Sequence, residues 1–248
     1  MRRLTSFVLA VLAIVSFSSV LLAQTKTREQ LIEEIGARRT ELSALEQQFL
    51  AVSDDDQKAF AELLSQPNTG MIRLLPRDVF ESAVYTKNKK TLTMNGGGAY
   101  YSFVRLTHEY GYGSDISFDS GHLSVGFAGA DYGMIVKLGA TPLENLSATH
   151  PLVVPLTRYI PAKTEPDARV EQRRFSEGTE IEGLPLTRRL PAEVNATYLL
   201  RSISYGSSDV LVAVNVARRD SDGSLIIAWK LMEKYSTPNL ARETNILR

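Results

Sequence analysis

The densest group of chemically useful side chains in this sequence lies between residues 107 and 131. Two of the three histidines, His108 and His122, fall there together with the carboxylates Glu109 and Asp115. If glycine turns fold the chain back, these groups converge and can hold a divalent metal ion or supply an acid–base pair. The ligand-binding candidates are His108, Glu109, Tyr110, Tyr112, Asp115, His122 and Asp131.

The spacing of these candidates matches no standard catalytic or metal motif. The zinc-protease pattern His-Glu-x-x-His is absent from the sequence. The nearest approach to a serine-hydrolase elbow has His122, rather than a glycine, two residues before Ser124. The alternative interpretation of the whole group is therefore ordinary turn and surface chemistry. The sequence assigns no metal, no cofactor and no catalytic residue.

Tyrosines form a second candidate, because aromatic faces stack on sugars and on apolar ligands. Five of the ten tyrosines lie in the same glycine-rich region: Tyr100, Tyr101, Tyr110, Tyr112 and Tyr132. A glycan or protein partner is one hypothesis for these rings. The other is that alternate tyrosines line the core of a sheet.

The elements that must position these side chains are short strands. Ten of the sixteen glycines lie between Gly96 and Gly139, where apolar runs alternate with turn residues. Near the carboxyl end, three longer runs at residues 198–205, 210–217 and 224–232 predict a β-meander. In its last two strands, alternate residues from Val210 and from Leu225 should share one core face.

Ahead of the strands, residues 24–66 form a predicted helical segment. From Leu31 to Val52, apolar residues recur at alternating steps of four and three, with Arg38 as the polar interruption. Ser53 and three aspartates after it predict the start of a second helix that stops before Pro67. The segment is either a helical hairpin or a short coiled coil, and residues 27–52 can make a homo-oligomer.

The fold class predicted from these patterns is α+β, with a mainly antiparallel β domain of sandwich or open-barrel type over residues 67–248. Seven of the ten prolines lie in residues 140–192, which predicts a long irregular excursion with an edge strand at residues 152–160. The tail after Pro238 is expected to be frayed or draped over the surface.

Residues 1–23 have the order of a secretory signal peptide: a basic start at Arg2 and Arg3, an apolar run, and a small residue at Ala23. Cleavage after Ala23 would deliver the protein to the periplasm or the extracellular space. The alternative is an uncleaved anchor, since the stretch is just long enough to cross a bilayer. Only in that case is a membrane a partner.

Composition narrows the function further. The chain of 248 residues carries 28 basic and 28 acidic residues, so it has no electrostatic footprint for nucleic acid. The absence of cysteine excludes disulfides, thiolate metal sites and cysteine nucleophiles. The first hypothesis is an exported, non-enzymatic binding or structural protein of unknown ligand. The alternative is an exported hydrolase or metal-dependent enzyme that uses His108, Glu109, Asp115 and His122.

Overall fold

The structure is a computed structural model that describes residues 26–80, 98–108, 113–127 and 129–241. The chain divides into two compact units with the boundary between Phe49 and Leu50. The fold is α+β, with helices and mainly antiparallel sheets, as the sequence predicts. Residues 1–23, where a signal peptide is predicted, lie outside the described residues.

The described part of the first unit is one helix, α1 (Arg28–Phe49). Its start is a capping box: Gln30 N donates to Thr27 Oγ1 at 3.3 Å, and Thr27 N donates to Gln30 Oε1 at 2.9 Å. No residue of α1 is buried.

The second unit begins with two short helices, α2 (Asp54–Ala59) and α3 (Ala61–Leu64). Ser53 caps α2 as predicted, because its hydroxyl accepts a hydrogen bond from Asp56 N. The second predicted helix is therefore present, but it is broken at Phe60. The helix α4 (Arg77–Phe80) follows the first strand.

A five-stranded antiparallel sheet lies at the centre of the second unit. Its spatial order is β1-β11-β10-β9-β5. The strands are β1 (Thr69–Leu74), β5 (Tyr132–Gly139), β9 (Thr197–Ser204), β10 (Ser208–Arg219) and β11 (Leu225–Lys234). The predicted meander is confirmed in β9, β10 and β11, which pair consecutively.

A four-stranded sheet covers one face of this central sheet. It consists of β2 (Tyr100–Tyr101), β3 (Ile116–Asp119), β4 (His122–Ser124) and β8 (Arg189–Pro191). Alternate residues from Val210 to Val216 and from Leu225 to Trp229 fill the core between the two sheets, as predicted. At one edge of that core, Gly70 lies opposite Trp229, where an added Cβ would be 2.6 Å from the indole. Only glycine leaves room for this ring.

The other face of the central sheet is covered by the proline-rich segment, which is not irregular. It contains α5 (Val154–Arg158), α6 (Glu165–Glu177) and a hairpin of β6 (Thr179–Ile181) and β7 (Leu184–Leu186). The predicted edge strand at residues 152–160 is wrong, because α5 lies there. Proline misled the prediction because Pro155 and Pro166 occupy first turns of helices, where a missing N–H costs nothing.

Candidate functional site

Four of the seven predicted site residues, His108, Asp115, His122 and Asp131, lie in the described part of the chain, and each makes its own set of contacts. His108 Nε2 is 2.7 Å from the carbonyl oxygen of Arg73, and its ring lies edge-on to Tyr101. A carbonyl can only accept, so Nε2 carries the proton. Burial lowers the pKa of His108, which keeps the imidazole neutral. His108 is therefore held in place beside strand β1 by a backbone carbonyl.

His122 and Asp131 make separate contacts. His122 lies in the β3–β4 hairpin, where its Nδ1 is 2.8 Å from the carbonyl oxygen of Ser120. Asp131 precedes β5, and its Oδ1 accepts a hydrogen bond from Tyr205 N at 2.8 Å. Burial raises the pKa of Asp131. Within the described ranges, no three histidine, aspartate or glutamate side chains are grouped so that they could hold a metal ion.

Asp115 is the most unusual of the candidates. It is fully buried between the sheets, and its Oδ2 accepts a hydrogen bond from Phe103 N at 2.7 Å. Its Oδ1 and the nearby Ser202 Oγ have no hydrogen-bond partner among the described residues. Burial raises the pKa of Asp115 to about 6, and the proximity of Ser202 and Phe103 N–H offsets only part of that shift. The carboxyl anchors the turn after Ser102.

The remaining candidates divide between core and undescribed positions. Glu109, Tyr110 and Tyr112 lie outside the described residues, so the proposed acid–base group stays a prediction. Tyr100, Tyr101 and Tyr132 are buried, which matches the alternative that these rings line the core. They offer no stacking surface for a sugar.

A different polar cluster, which the sequence did not indicate, lies on the helix-covered face of the central sheet. Arg201 in β9 is 2% exposed and forms a two-pronged ion pair with Asp209 in β10. Arg201 Nε and Nη2 donate to Asp209 Oδ1 and Oδ2, each at 2.8 Å. This geometry is the strongest form of a carboxylate–guanidinium contact. Arg201 is the one charged residue of its strand, and that was the signal available in the sequence.

The same guanidinium also closes the end of helix α5. Arg201 Nη1 donates to the carbonyl oxygens of Leu156 at 2.5 Å and Tyr159 at 2.7 Å. Carbonyls in the last turn of a helix have no partner within the helix, so the arginine satisfies them. The ring of Tyr235 lies 3.9 Å from Arg201 Cζ and forms a cation–π contact. Arg201 thus joins the sheet, α5 and the chain after β11.

Three phenols surround this ion pair and hold the loop between α5 and α6. Tyr159 Oη donates a hydrogen bond to Glu171 Oε2 at 2.7 Å and lies 2.9 Å from Tyr132 Oη. Tyr132 Oη in turn accepts a hydrogen bond from Ala162 N at 3.0 Å. Tyr205 Oη donates to the Ala162 carbonyl at 2.7 Å. Burial raises the pKa values of Tyr159 and Tyr205 well above the usual range. Tyr159 and Tyr205 therefore stay protonated and cannot act as bases near neutral pH.

A cleft of about 670 Å³ opens above the cluster. Residues 157–163 form one wall, residues 235–241 form the other, and Arg201 with Asp209 lies at the base. The two walls are tied by a hydrogen bond from Ala241 N to the Lys163 carbonyl at 2.8 Å, and Gly206 N binds the Pro238 carbonyl. The tail after Pro238 is thus draped over the surface up to Ala241, which was one of the two expected outcomes.

The walls of this cleft are apolar and its charged rim is basic. Apolar side chains contribute to both walls: Ile160, Pro161, Ala162, Pro238 and Leu240. Ile160 is 77% exposed, which is high for a large aliphatic side chain. Arg158 and Lys163 are exposed at the same cleft and make no ion pair with a described residue. Asp209 is the lone carboxylate of the lining, and Arg201 already neutralises it.

A second cavity of about 380 Å³ lies beside His108. Leu50, Met71 and Leu106 contribute to its lining, and its one imidazole is fixed by the Arg73 carbonyl. The cavity is smaller, and His108 is the only ionisable group of its lining apart from the phenol of Tyr101. Burial raises the pKa of Tyr101 to about 12, so that phenol is neutral as well.

No protein family, curated protein or solved structure matches this chain. None of the helices in the described ranges is both long and apolar enough to cross a membrane. The geometry of the two clefts is therefore the basis on which a function can be argued.

Proposed function

We propose that this protein is an exported, non-enzymatic binding protein that holds a small amphipathic anion in the cleft between residues 157–163 and 235–241. The observation that carries this proposal is the combination of apolar walls with two cations, Arg158 and Lys163, that form no ion pair with a described residue. The export part of this proposal is supported by the signal-like sequence of residues 1–23. An exported protein would work in the periplasm or outside the cell.

The size and lining of the cleft suit a small organic molecule. Ligand sites in proteins generally enclose about 300–1,000 Å³, with mainly apolar walls and a few placed polar groups. The cleft of about 670 Å³ falls inside that range. Ile160, Pro161 and Leu240 would cover an apolar body, whose burial from water supplies most of the binding free energy.

The charges of the cleft select the sign of the ligand's polar group. Arg158 and Lys163 are cations without a described partner, whereas Asp209 is already bonded to Arg201. A carboxylate or another anionic group on the ligand would neutralise one or both rim cations. A cationic ligand would meet repulsion at the rim and find no free carboxylate at the base.

The chemistry of the cleft supports binding rather than turnover. Asp209 uses both carboxylate oxygens in its ion pair, so neither is left as a base. The phenols of Tyr159 and Tyr235 have pKa values raised by burial, so neither is a ready nucleophile. A general base needs a pKa near the working pH and a free lone pair.

The test is a thermal-unfolding and calorimetric titration with decanoate, an anion with an apolar chain, against decanol as the uncharged match. A ligand at 100 times its dissociation constant raises the free energy of unfolding by about 2.7 kcal/mol. We expect decanoate to stabilise the protein more than decanol does. We expect Arg158→Gln with Lys163→Gln to weaken decanoate binding roughly tenfold, because each exposed ion pair contributes up to about 1 kcal/mol.

The matched control is Arg173→Gln, which removes an exposed arginine of helix α6 that does not line the cleft. This variant should bind decanoate like the unchanged protein. The proposed anion site would be contradicted if decanoate and decanol stabilised the protein equally. It would also be contradicted if the control and the double variant lost the same amount of affinity for decanoate.

A further inference from the structure

We infer that helix α1 is an oligomerisation element that pairs in parallel with α1 of a second copy of this chain. The inference is independent of the ligand cleft. It rests on an apolar stripe that the described chain leaves exposed, on the order of charges beside that stripe, and on the length of the helix.

The stripe follows a heptad pattern along the whole helix. Leu31, Ile35, Leu42 and Leu45 lie at the two inward-facing positions of successive heptads, with Arg38 between them. Their exposed fractions are 45%, 51%, 54% and 57%. Large aliphatic side chains at this spacing are normally covered by a neighbouring element.

The apolar face of the helix gains no stability from burial among the described residues. The helix has 22 residues, spans about 33 Å, and buries none of them. Helices in proteins gain most of their stability from packing an apolar face against another element. Gly36 and Thr40 inside α1 lower its intrinsic helix propensity further. A partner along the stripe supplies the missing packing.

The flanking charges favour a parallel arrangement of identical helices. In that register Glu34 of one copy faces Arg39 of the other, which is an attractive pair at the edge of the stripe. Glu41 faces Glu46, which is a repulsive pair, so the parallel register has one attractive and one repulsive contact beside the stripe. An antiparallel pair with the same apolar overlap would instead bring Arg39 against Arg39 and Glu41 against Glu41.

Arg38 sets the register of the pair. At an inward-facing position its aliphatic stem can pack in the stripe while the guanidinium reaches Glu41 at the edge. A single polar residue at such a position reduces stability but penalises shifted alignments, in which it would meet an apolar layer. With barely three heptads, the association should depend on protein concentration.

The first experiment is sedimentation velocity over a concentration series, on the chain as its host produces it. We expect reversible association that is lost in Leu42→Asp with Leu45→Asp. The matched control, Ser43→Asp with Gln47→Asp, adds the same charge to exposed positions off the stripe and should associate normally. A monomer at every concentration, or association that survives in the stripe variant, would overturn the inference.

The second experiment tests the parallel register. The chain contains no cysteine, so a single introduced thiol reports one contact. Leu45→Cys should form a disulfide-linked dimer under mild oxidation, because parallel pairing puts residue 45 of both copies in one layer. Gln47→Cys on the outer face should not. A Leu45→Cys chain that associates without cross-linking would overturn the parallel arrangement.

Discussion

Asp209 and Asp115 are both buried carboxylates, and they lie on opposite faces of the central sheet with very different surroundings. Asp209 has both oxygens bonded to Arg201, its side chain being 2% exposed. Asp115 has one oxygen bonded to Phe103 N and the other without a described partner. Their neighbours Arg201 and Ser202 are consecutive residues of β9, so one strand supplies both environments.

The difference teaches that burial alone does not decide the cost of a charge. A buried ion pair offsets its desolvation cost through short, well-aligned hydrogen bonds. If either partner is removed, the remaining charge stays buried and its desolvation cost is no longer offset. A buried carboxylate without such a partner shifts its pKa instead, as the value of about 6 for Asp115 shows. The ionised carboxylate of Asp115 therefore destabilises the fold near neutral pH.

The largest change in stability is expected from removing Arg201, the cation that pairs with Asp209. Arg201→Met leaves Asp209 buried without a cation and removes the donor to the carbonyls of Leu156 and Tyr159. We expect a loss of about 3–5 kcal/mol in the free energy of unfolding, measured by urea denaturation. The control is Arg201→Met with Asp209→Leu, which removes both charges. It should recover a large part of the loss, and no recovery would mean that the charge imbalance is not the cause.

The next prediction concerns Asp115, whose substitution should stabilise the protein near neutral pH. Its folded-state pKa is about 6 and its ordinary value is 3.8, so between these values the folded protein binds more protons than the unfolded chain. Stability therefore falls as pH rises through this window, by about 3 kcal/mol at 1.36 kcal/mol per pKa unit. We expect Asp115→Asn to be more stable than the unchanged protein at pH 7 and equally stable near pH 3.

The measurement for Asp115→Asn is the difference between the two proteins' unfolding free energies from pH 3 to pH 7. Asparagine has nearly the same shape and can still accept a hydrogen bond from Phe103 N, but it cannot ionise. A difference that stays constant across this pH range would contradict the assigned role of the carboxyl.

The smallest effects compare two phenols near Arg201. Tyr159→Phe removes a hydroxyl that bonds Glu171 and lies within hydrogen-bond distance of Tyr132, so a loss of about 1–2 kcal/mol is expected. Tyr235→Phe removes a buried hydroxyl without a described partner, so stability should be unchanged or slightly higher, because the desolvation cost of that hydroxyl is lost. Thermal unfolding of the two variants side by side decides this, and equal losses would contradict the contrast.

Parts of the fold were predictable because they depend on local patterns. Alternation of apolar residues from Val210 and from Leu225 predicts strands with a shared core face, and β10 and β11 have that arrangement. The cap at Ser53 was predictable for a similar reason. The helix α6 was missed because proline density was interpreted as irregular chain. Thr164, whose hydroxyl accepts a hydrogen bond from Asp167 N ahead of α6, was the overlooked signal.

The candidate site was not predictable from the pattern of polar residues. The sequence drew attention to histidines and acids near turns, but His108 and His122 bond separate backbone carbonyls. The cleft instead combines residues 157–163 with residues 235–241, which are far apart in the sequence. Side chains that cannot take part in catalysis, such as those of Ile160 and Leu240, form part of its apolar lining. No local pattern marks such a pair of walls.

The sequence by itself determined where the strands of the meander lie, that α1 carries an apolar stripe, and that cysteine chemistry is absent. These properties depend on side-chain periodicity or composition alone. The tertiary structure decided that Arg201 meets Asp209, through the antiparallel register of β9 and β10 that also pairs Arg201 with Leu211. The tertiary structure also decided that Asp115 has a hydrogen-bond partner for only one of its two carboxyl oxygens among the described residues. Desolvation and hydrogen-bond geometry depend on what surrounds an atom in space, and that is set only when the sheets and helices pack.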